Sequence, residues 1–172
     1  DPSEKSEYGY GRYSNVITQF QLARLLDIDG PTKGQLLRPS DSKEPRTILM
    51  IQCVGSRDED RPYCSRLCCT EAVKNALKIK DLSPATHVYV LYRDVRTYGF
   101  KEGYYTQARQ KGVAFIRYEK DMKPEVSKNG TGLKVRVYDQ TLGIPIEIPA
   151  DWVVLSAGVV ANEDNKTIGQ YL

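Results

Sequence analysis

The stretch Thr47-Ile48-Leu49-Met50-Ile51-Gln52-Cys53-Val54-Gly55-Ser56-Arg57 decides the fold class. Ile48 to Ile51 form an unbroken apolar run, the pattern of a strand buried on both faces of a parallel sheet. A charged loop from Arg57 to Arg61 and then Pro62 follow it. A helix is expected over roughly 64–80, because Cys68, Cys69, Ala72, Val73, Ala76 and Leu77 recur at helical spacing. Pro84 separates this helix from a second strand at 87–92. A second helix is expected over about 100–111 with Gly112 as its C-terminal cap, then a third strand over 113–118.

Working outward, the pattern changes after that third strand. Leu133, Val135 and Val137 alternate with Lys134, Arg136 and Tyr138, and Ile144, Ile146 and Ile148 alternate likewise. Two half-wet strands with Thr141-Leu142-Gly143 near the turn predict an antiparallel hairpin. Trp152-Val153-Val154-Leu155 then reads as another buried strand, ending at Ala157-Gly158. Upstream, residues 1–44 read as a polar arm with one short helix. Thr18 and Gln21 have capping-box spacing at its start, Phe20, Leu22, Leu25 and Leu26 supply its apolar side, and Gly30-Pro31 ends it. Strand–helix alternation implies parallel strands joined by right-handed crossovers. The fold class expected is α/β, a Rossmann-like domain of FAD/NAD(P)-binding type: a mostly parallel sheet with helices and an antiparallel hairpin insert.

Composition excludes several classes. The chain has 172 residues, with 40% hydrophobic and 27% charged, which is ordinary globular usage. A net charge of +3 with interspersed signs is too weak to argue for nucleic acid. No apolar run approaches the ~20 residues needed to span a bilayer, so direct membrane insertion is not expected. No signal peptide is visible, and the opening Asp1-Pro2-Ser3 reads as an internal cut in a longer polypeptide. The twelve tyrosines are read as packing at strand ends.

The four cysteines, Cys53, Cys64, Cys68 and Cys69, all fall in one strand–helix connection, with spacing C-x10-C-x3-C-C. A secreted disulfide scaffold would spread its cysteines to close large loops, so this cluster reads as a site in an intracellular, cytoplasmic protein. In a dinucleotide-binding domain the turn after the first strand carries G-x-G-x-x-G, whose glycines admit the pyrophosphate at the helix N-terminus. Here only Gly55 is present, and the cysteines stand in place of the fingerprint. Cys53 is placed at the carboxyl end of the strand and Cys64 near the helix start, where the dipole would favour thiolate. Cys64 and Cys68 would share a helix face, and adjacent Cys68 and Cys69 would point about 100° apart. Core packing of Cys68 and Cys69 is one alternative. Structural zinc normally uses C-x2-4-C hooks and a thioredoxin-like dithiol uses C-x-x-C, both missing here. Iron–sulfur clusters take four thiolates with varied spacing and rank first on spacing alone.

The runs Ile51-Gln52-Cys53-Val54-Gly55-Ser56-Arg57-Asp58 and Tyr63-Cys64-Ser65-Arg66-Leu67-Cys68-Cys69 resemble the A-type subunit of heterodisulfide reductase. The resemblance extends through 91–99, Tyr8-Gly9-Tyr10-Gly11-Arg12-Tyr13 and Val154-Leu155-Ser156-Ala157-Gly158, and so covers nearly the whole chain. It implies a thioredoxin-reductase-like flavoprotein with further ferredoxin-type clusters, an oxidoreductase that relays electrons between FAD and iron–sulfur clusters in anaerobes. It also implies that Cys53, Cys64, Cys68 and Cys69 ligate a 4Fe-4S cluster near the flavin. The partners implied are the other subunits of such a complex and an electron-donating hydrogenase or dehydrogenase. A quinone-interacting oxidoreductase of sulfate reducers shares this kind of domain.

On that resemblance, 1–44 belongs with a neighbouring FAD domain, 45–158 is the Rossmann-like domain with the cluster, and 159–172 returns to the FAD domain. Tyr10, Gly11, Arg12, Gly158 and Asn162 would approach the flavin of the intact protein. FAD and ferredoxin motifs would lie outside this chain, so the fragment alone is expected to be inactive, without tight FAD and with weak or no NADH or NADPH binding. Other readings are a nicotinamide-nucleotide-binding domain of a pyridine nucleotide-disulfide oxidoreductase and a non-catalytic docking scaffold. Arg93 and Arg96 follow the second strand, where ribose or phosphate is read in nucleotide domains, but read more simply as surface basics or a partner face. His87 reads as structural, and Lys101, Glu102 and Arg109 as a solvated helix face.

Overall fold

The computed structural model describes residues 7–162 and 164–170; Asp1-Pro2-Ser3 lie outside the described residues. Its elements run β1 (Val16–Thr18), α1 (Gln19–Leu25), β2 (Thr47–Val54), α2 (Cys68–Leu82), β3 (His87–Tyr92), a 3-10 turn (Gly99–Lys101), α3 (Glu102–Gln110), β4 (Ala114–Arg117), β5 (Glu125–Asn129), β6 (Gly132–Asp139), β7 (Ile144–Ala150), β8 (Trp152–Ala157) and α4 (Asn165–Ile168). β1-β8-β2-β3-β4 form one sheet, with parallel pairing throughout. β5-β6-β7 form a second, antiparallel sheet.

The apolar run of β2 explains the layering. Ile48 and Met50 face the helices, sharing a core with Val73, Ala76 and Ile79 of α2, Leu22 of α1 and Ala108 of α3. Leu49 and Ile51 face the other way and pack under Leu133, Val135, Val137, Ile148 and Ala150 of the antiparallel sheet. Ile48 to Ile51 are therefore buried on both sides, as an apolar run without alternation requires. A fully buried side chain of this kind stabilises by roughly 1.5–3 kcal/mol. Trp152 to Leu155 in β8 repeat the arrangement beside it. At the start of both strands, Asp151 accepts from the backbone N–H groups of Arg46 and Thr47 and from the Arg38 guanidinium.

Most of the expected elements are present, with local differences. Thr18 and Gln21 form the reciprocal capping box of α1, but Phe20 is 77% exposed rather than part of its apolar side. α1 closes with Leu26 as C-cap, before Gly30-Pro31 is reached. Gly112 follows α3 at φ +80 and donates its N–H to Arg109. The expected hairpin is β6–β7, and a third strand, β5, pairs with β6 at its edge. Three elements were not expected from the sequence: β1 is three residues long, β5 is a polar strand of which only Val126 packs inward, and α4 is a single four-residue turn with no buried residue.

Helix α2 begins at Cys68, not Cys64. Arg66 holds φ +61 and its N–H turns back to the Cys64 sulfur at 3.4 Å, which breaks helical geometry before Leu67. Cys64 and Cys68 therefore do not share a helix face. No helix among the described residues is long and apolar enough to cross a membrane.

Candidate functional site

β2 lies at the centre of the parallel sheet, between β3 and β8. The crevice outside the carboxyl ends of the strands is the usual ligand position in open α/β sheets. The end of β2 is bent to serve it. Ile51 pairs with Leu155 but Val54 pairs with Ala157, so β2 carries one extra residue, a bulge, at Gln52-Cys53. Cys53 holds φ +60 and Arg57 φ +57. Left-handed non-glycine residues cost roughly 1–3 kcal/mol each and collect at functional sites. The bulge re-aims Cys53 out of the sheet toward the loops.

The other three thiols approach from two further segments. Cys64 sits in the loop, its sulfur accepting the Arg66 N–H. Cys68 and Cys69 are the first two residues of α2. The turn of the helix sends them to opposite flanks: Cys68 lies 3.6 Å from the carbonyl of Ala157 at the end of β8, and Cys69 lies 3.6 Å from the carbonyl of Asp94 beyond β3. All four are half-buried and unpaired as disulfides.

Burial pushes the Cys53, Cys68 and Cys69 thiols up, Cys69 to about 11. Arg57 opposes the shift at Cys53, and each of the three is raised further by neighbouring thiols, Cys64 included. The helix start expected at Cys64 lies instead at Cys68, and burial keeps the Cys68 and Cys69 thiols protonated there. Iron or zinc would displace these protons, as thiolate ligation requires.

No three His, Cys, Asp or Glu side chains among the described residues converge closely enough to hold a single metal ion. The four thiols nevertheless all belong to one strand–helix connection, with Cys64 in the loop and Cys68 and Cys69 at the start of α2. Four cysteine thiols are a donor set that an iron–sulfur cluster takes. Two orphaned groups point the same way. Gln52 is buried with both side-chain amide atoms unpartnered, and so is the Ser156 hydroxyl. By strand alternation from Met50 and Val154, both face the α2 side. α2 itself starts at Leu67 without a side-chain cap. Buried polar groups without partners are costly, and a polar, sulfur-rich guest beneath the helix start would relieve them.

The remaining sequence candidates lie elsewhere. Tyr10, Gly11 and Arg12 line a separate cleft of about 620 Å³ with Tyr13, Ile17 and Arg24. Gly158 sits at the crevice, where an added Cβ would meet the Gly55 carbonyl at 2.9 Å. Asn162 is exposed. His87 opens β3 and is exposed. Sequence reasoning passed over Arg57, Asp94, Ser65 and Gln52, although Arg93-Asp94-Val95-Arg96 follows β3 at the expected ligand position. Arg57 contacts Cys53, Asp94 anchors Arg57, and the Ser65 hydroxyl accepts the Val159 N–H at 2.8 Å.

No family model matches the chain. Curated relatives do. The chain is 47% identical over 178 residues to the A-type iron–sulfur subunit of the CoB–CoM heterodisulfide reductase of Methanocaldococcus jannaschii, a match that covers all of this chain and 27% of that protein. It is 45% identical to the A-type subunit of a CoB–CoM heterodisulfide, ferredoxin reductase of Methanothermobacter marburgensis, over 99% of this chain and 26% of that one. The A-type subunit of a ferredoxin:CoB–CoM heterodisulfide reductase of Methanosarcina acetivorans is 41% identical, over all of this chain and 25% of that one. The chain thus spans about a quarter of the length of these relatives. Among solved structures, a T. acidophilum thioredoxin reductase matches with a TM-score of 0.47 at 13% identity, over 90% of this chain and 40% of that one.

Proposed function

We propose that this chain, similar along its whole length to about a quarter of the A-type subunits of heterodisulfide reductases, is a segment of one of them, and that Cys53, Cys64, Cys68 and Cys69 hold one 4Fe-4S cluster. One observation supports the reading: a strand bulge, a loop and a helix start within one strand–helix connection carry all four thiols at the carboxyl end of β2. Bound there, the cluster would supply electron storage at a half-buried position. The residues of the chain supply the rest. The bulge aims Cys53, the loop positions Cys64, and α2 spreads Cys68 and Cys69 to the two flanks.

In the longer protein, the cluster would relay electrons between FAD and further clusters within a cytoplasmic, multi-subunit oxidoreductase fed by a hydrogenase or dehydrogenase. Residues 1–44 and 159–172 would meet the FAD domain, with Tyr10, Gly11, Arg12, Gly158 and Asn162 on that side. The chain by itself would be inactive and would bind neither FAD nor nicotinamide nucleotides tightly, because the turn after β2 carries cysteines where pyrophosphate needs glycines.

Anaerobic reconstitution tests the cluster. The wild-type chain should take up iron and acid-labile sulfide with a broad absorbance near 400 nm, a rough expectation for thiolate-ligated iron clusters. Cys53→Ser and Cys64→Ser should each lose or destabilise it. Unchanged iron content and spectrum in either variant would remove that cysteine from the ligand set and sink the four-cysteine assignment.

A further inference from the structure

Four thiols suffice to hold a cluster, yet the crevice is also ringed by arginine. Arg57 Nη1 lies 3.9 Å from the Cys53 sulfur, within hydrogen-bonding range for sulfur. Its Nη2 is fixed on Asp94 Oδ2 at 2.6 Å, and Arg96 shares that oxygen at 3.3 Å. Arg93 Nη1 donates to the Arg57 backbone carbonyl at 3.0 Å, holding the loop that carries it. The Asp94 carbonyl receives the Cys69 thiol, so one loop braces two of the four sulfurs. Two guanidiniums on one carboxylate oxygen leave excess positive charge beside the sulfurs. The Arg57 side chain is only 18% exposed, so water and salt screen it less than a surface charge.

A thiol sulfur is a weak acceptor, and a guanidinium gains little by turning an N–H to it. The contact becomes strong when the sulfur carries negative charge. The arrangement therefore suits an anionic, metal-bound Cys53. Its charge also opposes the cost of adding negative charge to the same volume.

On the four-cysteine reading, we infer that Arg57 is a positioning residue that sets the cluster's potential: held by Asp94, it donates to the Cys53 sulfur and favours the reduced cluster. Reduction adds one electron to the cluster and moves no proton; in the test the electron comes from dithionite through mediator dyes. Hydrogen bonds to sulfur and net local charge are among the factors that set such potentials.

EPR-monitored potentiometric titration of the anaerobically reconstituted chain tests this. Arg57→Gln should lower the reduced-to-oxidised ratio at a given ambient potential about tenfold, a shift of ~59 mV for a one-electron couple. Arg57→Lys, which keeps the charge, should recover most of that loss. Arg96→Gln removes a cation whose guanidinium is held on Asp94 and should shift the midpoint the same way by a smaller amount; it decides the matter if Arg57→Gln fails to retain iron. A midpoint unmoved in a fully loaded Arg57→Gln or, failing that, in Arg96→Gln overturns this inference and leaves the ligand assignment standing. Equal shifts in Arg57→Gln and Arg57→Lys also overturn it, because packing and not charge would then be responsible. A wild-type chain that takes up no cluster overturns both readings.

Discussion

The side-chain amide of Asn75 donates to the side-chain carbonyl of Gln19 at 2.8 Å and to its backbone carbonyl at 3.2 Å, and both residues are buried. The pair ties the first residue of α1 to the middle of α2, so the segment before residue 45 is fastened to the helix that carries two of the cysteines. Asn75→Ala should cost about 1–3 kcal/mol, since it leaves two buried acceptors without their donor. Urea unfolding would show this as a lower midpoint with an unchanged slope. An unmoved midpoint would mean that the pair contributes nothing net.

The Tyr118 hydroxyl donates to the backbone carbonyl of Gln52 at 2.6 Å, across a buried contact next to the Cys53 bulge. Burial holds this phenol far above its ordinary range, so it stays a donor at any working pH. Tyr118→Phe should cost about 1 kcal/mol and loosen Cys53, so the reconstituted variant should release iron to a chelator faster than wild type. Equal release rates would show that the bulge keeps its shape without this bond.

Without iron, the thiols should behave as buried acids. Cys69 is pushed up to about 11 by burial and then by its neighbouring thiols. Against an ordinary thiol near 8.5, its thiolate fraction at pH 7 falls by more than about 100-fold. Its alkylation by iodoacetamide should slow in proportion and climb about tenfold per pH unit up to about 11. The folded chain also keeps a proton that the unfolded chain releases, so stability should fall as pH rises from about 8.5 to about 11. Mass-spectrometric labelling rates and melts across that range check both statements. Labelling of Cys69 at the rate of a free cysteine would show that the helix dipole outweighs burial there.

The parts legible in the sequence are those written in side-chain periodicity. The apolar run of β2 announced its two covers, and the cysteine spacing marked the connection that forms the crevice. The start of α2 was misplaced because Cys64 and Cys68 have helical spacing, while the positive φ at Arg66 that separates them is a backbone property with no residue signature. β1 was hidden because three residues carry no period and its pairing with β8 is long-range. The Arg57–Asp94 bond joins two loops 37 positions apart, and only the parallel register of β2 and β3 brings them together.

Gly158 gives the sharpest steric test of the crevice. It follows β8, and its N–H donates to the Val54 carbonyl at 2.8 Å, which draws the ends of β2 and β8 together. A Cβ at this position would meet the Gly55 carbonyl oxygen and the Ser56 Cβ, each at 2.9 Å. Neither is the far end of a flexible side chain, so relief requires the strand ends to part. Parting them moves Ala157, whose carbonyl receives the Cys68 thiol, and the backbone that follows Cys53. Gly158→Ala should therefore destabilise by about 1–3 kcal/mol, the range for overpacking a filled site, and should also reduce iron uptake on reconstitution. Gly103→Ala is the control, since a Cβ there meets nothing within 4 Å and the residue lies in α3, where alanine is the better helix former. That variant should match or exceed wild-type stability and take up iron normally. Wild-type iron uptake by Gly158→Ala would show that the cysteines do not depend on the close approach of β2 and β8.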